Sequence, residues 1–300
     1  MIRTFQAATL GLALFFLTPY DRYASAMLGC EQKDFSEQLG LRNKPLCPTS
    51  QGVVADWTQL PPLTQALRRG WSYLGSRTVA LDADAAMAEW VYEKKQESRA
   101  RLIVQVVIFS AGQAGAVAHM EAVGHSSNMA MNPFGPAPEA MKLGDFTAVS
   151  SPERAAKLGR TADIFWVYRN AFGRVRVAES EGVEVLPLAR ALQSFMERYE
   201  VKNLPAHVPK IRQLNTSPSQ ARVGQQLRIA VVAEPMTASS RISIHALSGE
   251  LKFQSEEATN ATYLPEAAGK AVLEAVVFDI KTLLSARQQL LIEIAAVAAK

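Results

Sequence analysis

The chain has 300 residues, of which 48% are hydrophobic and 20% charged, with a net charge of +4 and two cysteines. That balance excludes a wholly disordered chain, and the weak positive charge, without any Lys/Arg block or aromatic-plus-basic platform, gives no basis for a nucleic-acid partner. The length predicts two cores at ordinary domain size.

Residues 1–26 predict a cleavable export signal. Arg3 precedes an apolar run from Ala7 to Leu17, and Ala24-Ser25-Ala26 has the Ala-x-Ala form of a processing site. The run falls short of the roughly 18 to 20 residues that a bilayer core demands, and no later run reaches that length, so no membrane span is expected after cleavage. Processing after Ala26 would deliver a periplasmic or secreted protein. In that oxidising setting Cys30 and Cys47 are expected to form a structural disulfide, whose short loop contributes roughly 3 kcal/mol by chain-entropy arguments. The alternative for Cys30 is acylation after Met27-Leu28-Gly29, which would leave Cys47 without its partner.

Residues 27–60 are turn-rich, and Leu63–Leu74 predicts a short helix after Pro61-Pro62. Strands follow at Met87–Tyr92 and Arg101–Ser110, then an Ala-rich helix over Ala111–His125, for which Ser110 supplies a capping hydroxyl. Ser126–Glu139, with Pro133, Gly135, Pro136 and Pro138, reads as a loop, and a strand is expected after Leu143-Gly144-Asp145-Phe146. Asp163–Glu179 predicts a hairpin with turn residues from Asn170 to Gly173. The clearest helix starts at Pro187, with Leu188, Leu192, Phe195, Met196 and Tyr199 at helical spacing. Strands and helices in this order predict an α+β domain over residues 27–204, an antiparallel sheet packed with helices.

Pro205 and Pro209 mark a boundary. Beyond it, short β-rich runs at Gln226–Ala233, Arg241–Ala246, Leu251–Gln254, Ala271–Phe278 and Gln289–Ile294 predict an all-β sandwich over residues 205–300. Val223-Gly224-Gln225 before a strand, Leu247-Ser248-Gly249-Glu250 in a turn, Tyr263-Leu264-Pro265, Gly269 and Val272-Leu273-Glu274-Ala275 resemble the bacterial immunoglobulin-like modules of exported proteins. The resemblance covers residues 208–296. It implies an immunoglobulin-like sandwich that serves as a spacer or binding platform, and it assigns no chemistry to the N-terminal domain.

Four groups of side chains are candidates for chemistry. His119, Glu121, His125, Met129 and Met131 hold imidazole and thioether ligands suited to copper, although on one helix His119 lies about 200° from Glu121. Arg169, Arg174 and Arg176 predict a basic face on the hairpin for an acidic envelope ligand, with Val175 and Val177 turned inward. Asp145, His119, Ser110 and Glu121 would line a hydrolase pocket if the fold gathers them. Trp57, Trp71, Trp90 and Trp166 are dispersed, so a core role is expected of them rather than sugar stacking. No P-loop, Gly-x-Gly-x-x-Gly or His-Glu-x-x-His motif occurs. The expected function is an exported, non-enzymatic binding or assembly protein whose partner is an envelope or extracellular protein or polysaccharide. A copper-type binding protein or metal-dependent enzyme is the rival.

Overall fold

The computed structural model describes residues 35–41, 44–59, 70–81, 84–95, 97–128, 133–178, 184–257 and 259–296. The chain is predominantly β, built from several antiparallel sheets with helices against the largest. In chain order the first part comprises α1 (Phe35–Gln38), β1 (Gly52–Val53), β2 (Trp71–Leu81), β3 (Ala85–Lys94), β4 (Glu97–Phe109) and α2 (Gln113–Asn128). Then come β5 (Phe134–Pro136), β6 (Phe146–Ser150), α3 (Pro152–Leu158), β7 (Asp163–Tyr168), β8 (Ala171–Ala178), α4 (Leu186–Arg198) and β9 (Glu200–Val201).

Strands β2 to β8 form one seven-stranded sheet in the order β2-β3-β4-β8-β7-β6-β5. Two meanders, β2-β3-β4 and β5-β6-β7-β8, therefore meet at the central β4–β8 pair. Alternation along these strands sends side chains to two separate cores. Val107, Phe109, Phe165, Val167 and Phe172 face Ala116, Val117, Met120 and Val123 of α2. Val106, Ile108, Ile164, Trp166 and Val175 face Leu188, Leu192, Phe195 and Met196 of α4. The small residues of α2 have a packing reason, since a Cβ on Gly115 would lie 2.7 Å from the Phe109 ring and one on Gly124 would overlap Phe35 of α1.

Several expectations change. Gly70, at φ 110°, is a turn residue and Trp71–Leu74 opens β2 instead of closing a helix, while residues 63–69 of that expected helix lie outside the described residues. Gly173 is a strand residue, not part of the turn, and a Cβ there would stand 2.6 Å from the Trp166 ring that lies over it. The hairpin turn is Arg169-Asn170. Ser110 caps no helix: its Oγ accepts from the Ser285 backbone N–H at 2.7 Å, while α2 starts at Gln113. The expected loop after α2 includes the short strand β5, paired with β6.

Downstream, β10 (Lys210–Ser217), β11 (Ala221–Arg222), β12 (Leu227–Glu234), β13 (Ser240–Ser248), β14 (Leu251–Glu257), β15 (Asn260–Pro265), β16 (Gly269–Asp279) and β17 (Ser285–Ala295) follow. They make two four-stranded sheets, β10-β12-β15-β14 and β11-β17-β16-β13. Leu227, Ile229 and Tyr263 of one and Ile244, Leu273, Val277 and Ile292 of the other bury a common cluster. Tyr263 donates its hydroxyl across it to the Ile244 carbonyl at 2.7 Å.

Phe35–Lys300 forms one compact unit. The β16–β17 turn drives Leu283 and Leu284, both fully buried, into the core beneath α4. Beside it the Trp57 N–H donates to the Lys281 carbonyl at 2.8 Å. Arg287 of β17 donates to the Leu81 carbonyl and to Glu274 Oε2, the latter at 3.0 Å, and lies 3.5 Å from Asp84. Burial raises the Asp84 carboxyl above its ordinary range, and the Arg287 charge opposes that rise. Removing one member of such a poorly solvated set strands the others. Arg287→Met should therefore destabilise the protein by about 3 kcal/mol, read as a lower denaturant midpoint, whereas an unchanged midpoint would show that Arg287 carries little of this contact.

Candidate functional site

The densest polar cluster among the described residues gathers at the β7–β8 turn. Its geometry begins with two left-handed backbones. Gly144 has φ 53°, and a Cβ there would collide with the Val167 carbonyl oxygen, so only glycine lets the segment before β6 run this close to β7. The Asp145 N–H then donates to that same carbonyl at 2.7 Å. Arg169, at φ 54°, turns the hairpin and presents its own N–H to Asp145 Oδ2 at 2.9 Å, which holds a conformation that arginine rarely adopts.

From that turn the Arg169 side chain reaches three groups. Nε donates to Glu200 Oε1 at 3.1 Å, Nη1 donates to Cys47 Sγ at 2.8 Å, and Nη1 also stands 3.7 Å from Asp145 Oδ1. Tyr168 donates its hydroxyl to the other Glu200 oxygen. Gln113, buried at the start of α2, donates to Asp145 Oδ2 at 2.6 Å and accepts from the Cys47 N–H at 2.5 Å. Lys44 donates to the Asp145 carbonyl at 2.5 Å and rides over the Phe146 ring. Burial together with the Glu200 carboxylate lifts the Tyr168 phenol above its ordinary range. Burial alone would lower the Arg169 guanidinium, but the Glu200 and Cys47 contacts outweigh it and raise it. Two cations, Lys44 and Arg169, here meet two carboxylates, Asp145 and Glu200, so the cluster is balanced within itself and acts as a clasp.

Asn170, next in the turn, is fully buried. Its Oδ1 accepts from the Val53 N–H at 2.6 Å, its Nδ2 donates to the Phe109 carbonyl at 3.2 Å, and its backbone carbonyl accepts from the Phe109 N–H at 2.9 Å. The approach of β1 requires Gly52, because a Cβ there would stand 2.9 Å from Asn170 Oδ1.

The expected site residues are placed as follows. Cys47 is unbridged and half-buried against Arg169, and Cys30 lies outside the described residues, so the Cys30–Cys47 pairing remains an expectation. Arg174 is not on a solvated face. It is buried, bonded to both Asp163 oxygens at 3.0 and 2.6 Å, and set over the Phe134 and Phe165 rings. Arg176 shares that side and is half-buried, with its guanidinium lowered by burial and by the neighbouring Arg174. Arg169 points into the clasp instead, so the three arginines form no common basic face. The reason is that helices cover both faces of the sheet at its centre, leaving β8 no open side there.

His119 lies in an aromatic pocket, its ring 4.7 Å from Phe172 and 5.6 Å from Phe109. Glu121 accepts from Ser36, and His125 meets the Phe35 ring edge-on. Met129 and Met131 lie outside the described residues, and among those described no three His, Cys, Asp or Glu side chains stand together as a metal group. Asp145, His119, Ser110 and Glu121 each engage a different partner and line no common pocket. Trp57 and Trp166 are fully buried, and Trp71 and Trp90 pack against the same core. A second feature is an open trough of about 500 Å³ at the β16–β17 turn, lined by Asp56, Thr237, Ser239 and Asp279 among others. Burial alone would raise its Asp279 carboxyl, but Ser239, Thr237 and the Lys281 and Thr282 N–H groups hold it below the usual range.

Sequence reasoning missed Gln113, Asp145 and Glu200 as members of one cluster, and it read Asn170 only as turn chemistry. Their contacts join residues up to 117 positions apart, which no local spacing encodes. No family model matches the chain, and no curated protein matches it in sequence.

Two outcomes follow. Asn170→Ala would leave the buried Val53 N–H without a partner and the Phe109 C=O with only its Gly112 donor, and should lower stability by about 2 kcal/mol in denaturant unfolding. Burial, then the Arg174 charge, depresses His119 to about 4 from 6.5. The unfolded chain takes up this proton below pH 6.5 and the folded chain only near 4, so stability is unaffected above 6.5 and falls through that window by roughly 3 kcal/mol. His119→Phe should flatten the stability profile between pH 6.5 and 4; an unchanged slope would place the acid sensitivity elsewhere. The Asp279 contribution is lost only below the ordinary carboxylate range, outside this window.

Proposed function

We propose that this chain is an exported, non-enzymatic binding or assembly protein, in which an α+β body stapled by a Cys30–Cys47 disulfide carries an immunoglobulin-like sandwich. The observation that supports this reading is where polar and apolar groups end up. The densest charge cluster closes on itself, with Arg169 Nε and Nη1 on protein acceptors. Large apolar side chains remain exposed at strand edges instead: Tyr73, Leu74 and Val79 along β2, Leu247 on β13 and Phe253 on β14, the last two strands each bordering a four-stranded sheet. Strand edges with such side chains bind by extending a sheet, an interaction in which backbone groups supply affinity and alternate side chains supply selectivity. Envelope or extracellular proteins and polysaccharides are the partners proposed for the β13 and β14 borders of the sandwich.

Export is tested first. Expressed with its leader, the protein should be recovered from the periplasm or medium with its N-terminus at Met27, and Ala26→Lys should block processing. Full-length protein retained in the cytoplasm would remove the reading. The staple is tested by thiol labelling of the mature protein before and after reduction, where labelling of Cys47 without reductant would show that no disulfide forms.

A further inference from the structure

We propose that two copies of this chain associate through β2, joining their seven-stranded sheets edge to edge. β2 forms one border of the sheet, and among the described residues no strand pairs along its outer side. It is 11 residues long, where border strands in natural proteins are kept short. Ser76, Arg77, Thr78 and Val79 are all exposed, so over this stretch neither face of the strand is covered. Protected borders carry lysines, prolines or inward charges; β2 carries none of these, and its one charge, Arg77, donates to Glu89 Oε1 on β3 at 2.9 Å.

Charge selects the occupant. The border is neutralised, so it offers a charged foreign segment no ion pair, while a second copy brings a strand of the same neutrality. The register shift between Tyr73 and Gly75 bulges the strand at Leu74, which leaves Gly75–Leu81 as the regular stretch for pairing. An antiparallel twofold centred on Thr78 uses all of it. That register sets Thr78 against the partner's Thr78, Arg77 against the partner's Val79 and Gly75 against the partner's Leu81, with no like charges opposed. Centring on Arg77 would oppose two guanidiniums, and centring on Ser76 would need the bulged segment. Seven paired residues a side bury less than the roughly 1,000 Å² of a stable interface, so the association is weak.

Sedimentation equilibrium of the full chain should show a monomer–dimer equilibrium with Kd of about 10 to 100 µM. Val79→Lys, at a surface position that leaves the core untouched, should weaken it at least about tenfold while the circular dichroism stays the same. Thr78→Cys should give an oxidised covalent dimer beyond that of the parent chain, because paired Cα atoms stand about 4.5 to 5.5 Å apart, within disulfide reach. Ser76→Cys should not. A monomer up to about 300 µM, well above the expected Kd, would overturn the proposal. So would a dimer insensitive to Val79→Lys, or cross-linking through Ser76→Cys instead of Thr78→Cys. The inference does not depend on export, and each can fail while the other stands.

Discussion

A buried carboxamide at the tip of a hairpin sets the geometry of the first part of the chain. Asn170 satisfies a donor from β1 and an acceptor at the end of β4, segments 117 and 61 residues away. An amide buried without such partners would cost more than the bonds return, so the site is filled correctly or the hairpin does not seat. Once it seats, the β4–β8 pair at the centre of the sheet is in register, and β1 lies behind the hairpin to pair with β9. Because β9 directly follows α4, this short pairing also returns the C-terminal end of α4 to the hairpin tip. Arg169, one residue earlier, then reaches Glu200 on β9, and the clasp closes over the same corner.

Placing the two meanders back to back has a second consequence. The central strands are covered on both faces, by α2 on one side and α4 on the other, so every residue of β7 and β8 near the crossing is enclosed. Arg174 is tolerated there because Asp163 takes two of its N–H groups and aromatic rings pack against its plane. His119 has no such anion beside it and stays neutral among phenylalanines, its proton opposed by burial and by the Arg174 charge. Two ionisable groups on the same face thus take opposite states because one has a carboxylate partner and the other does not.

Elements governed by local periodicity were legible in the sequence. The helices α2 and α4, the strand β4, the β7–β8 hairpin and most downstream strands sit within a few residues of where apolar spacing and turn residues place them. What the sequence hid was decided by contacts at long range. Gly173 looks like turn chemistry until Trp166 is seen to occupy the space above it, and Ser110 looks like a helix cap until β17 arrives to use its oxygen. β2 escaped notice because the middle of this open border strand has no buried face and therefore no alternation to read; its Ser76-Arg77-Thr78 stretch carries no apolar period. The hairpin arginines misled for the opposite reason, since charge alternation on β8 mimics a half-solvated strand when the exposed-looking side is in fact beneath α2 and its neighbours.

The way the downstream sheets attach explains how β2 stays both ordered and open. The β16–β17 turn enters the core beneath α4 through Leu283 and Leu284, and Arg287 of β17 grips the Leu81 carbonyl at the very end of β2 and Asp84 in the turn beyond it. Attachment at the end of a strand fixes its direction and register against β3 without occupying the backbone groups along its outer side. Had the same sheets docked along β2, the border would be covered; had they docked elsewhere, its end would be free to fray. Holding an open strand by one end preserves an edge that a second sheet can extend at little ordering cost, because the entropy of fixing β2 has already been lost on folding.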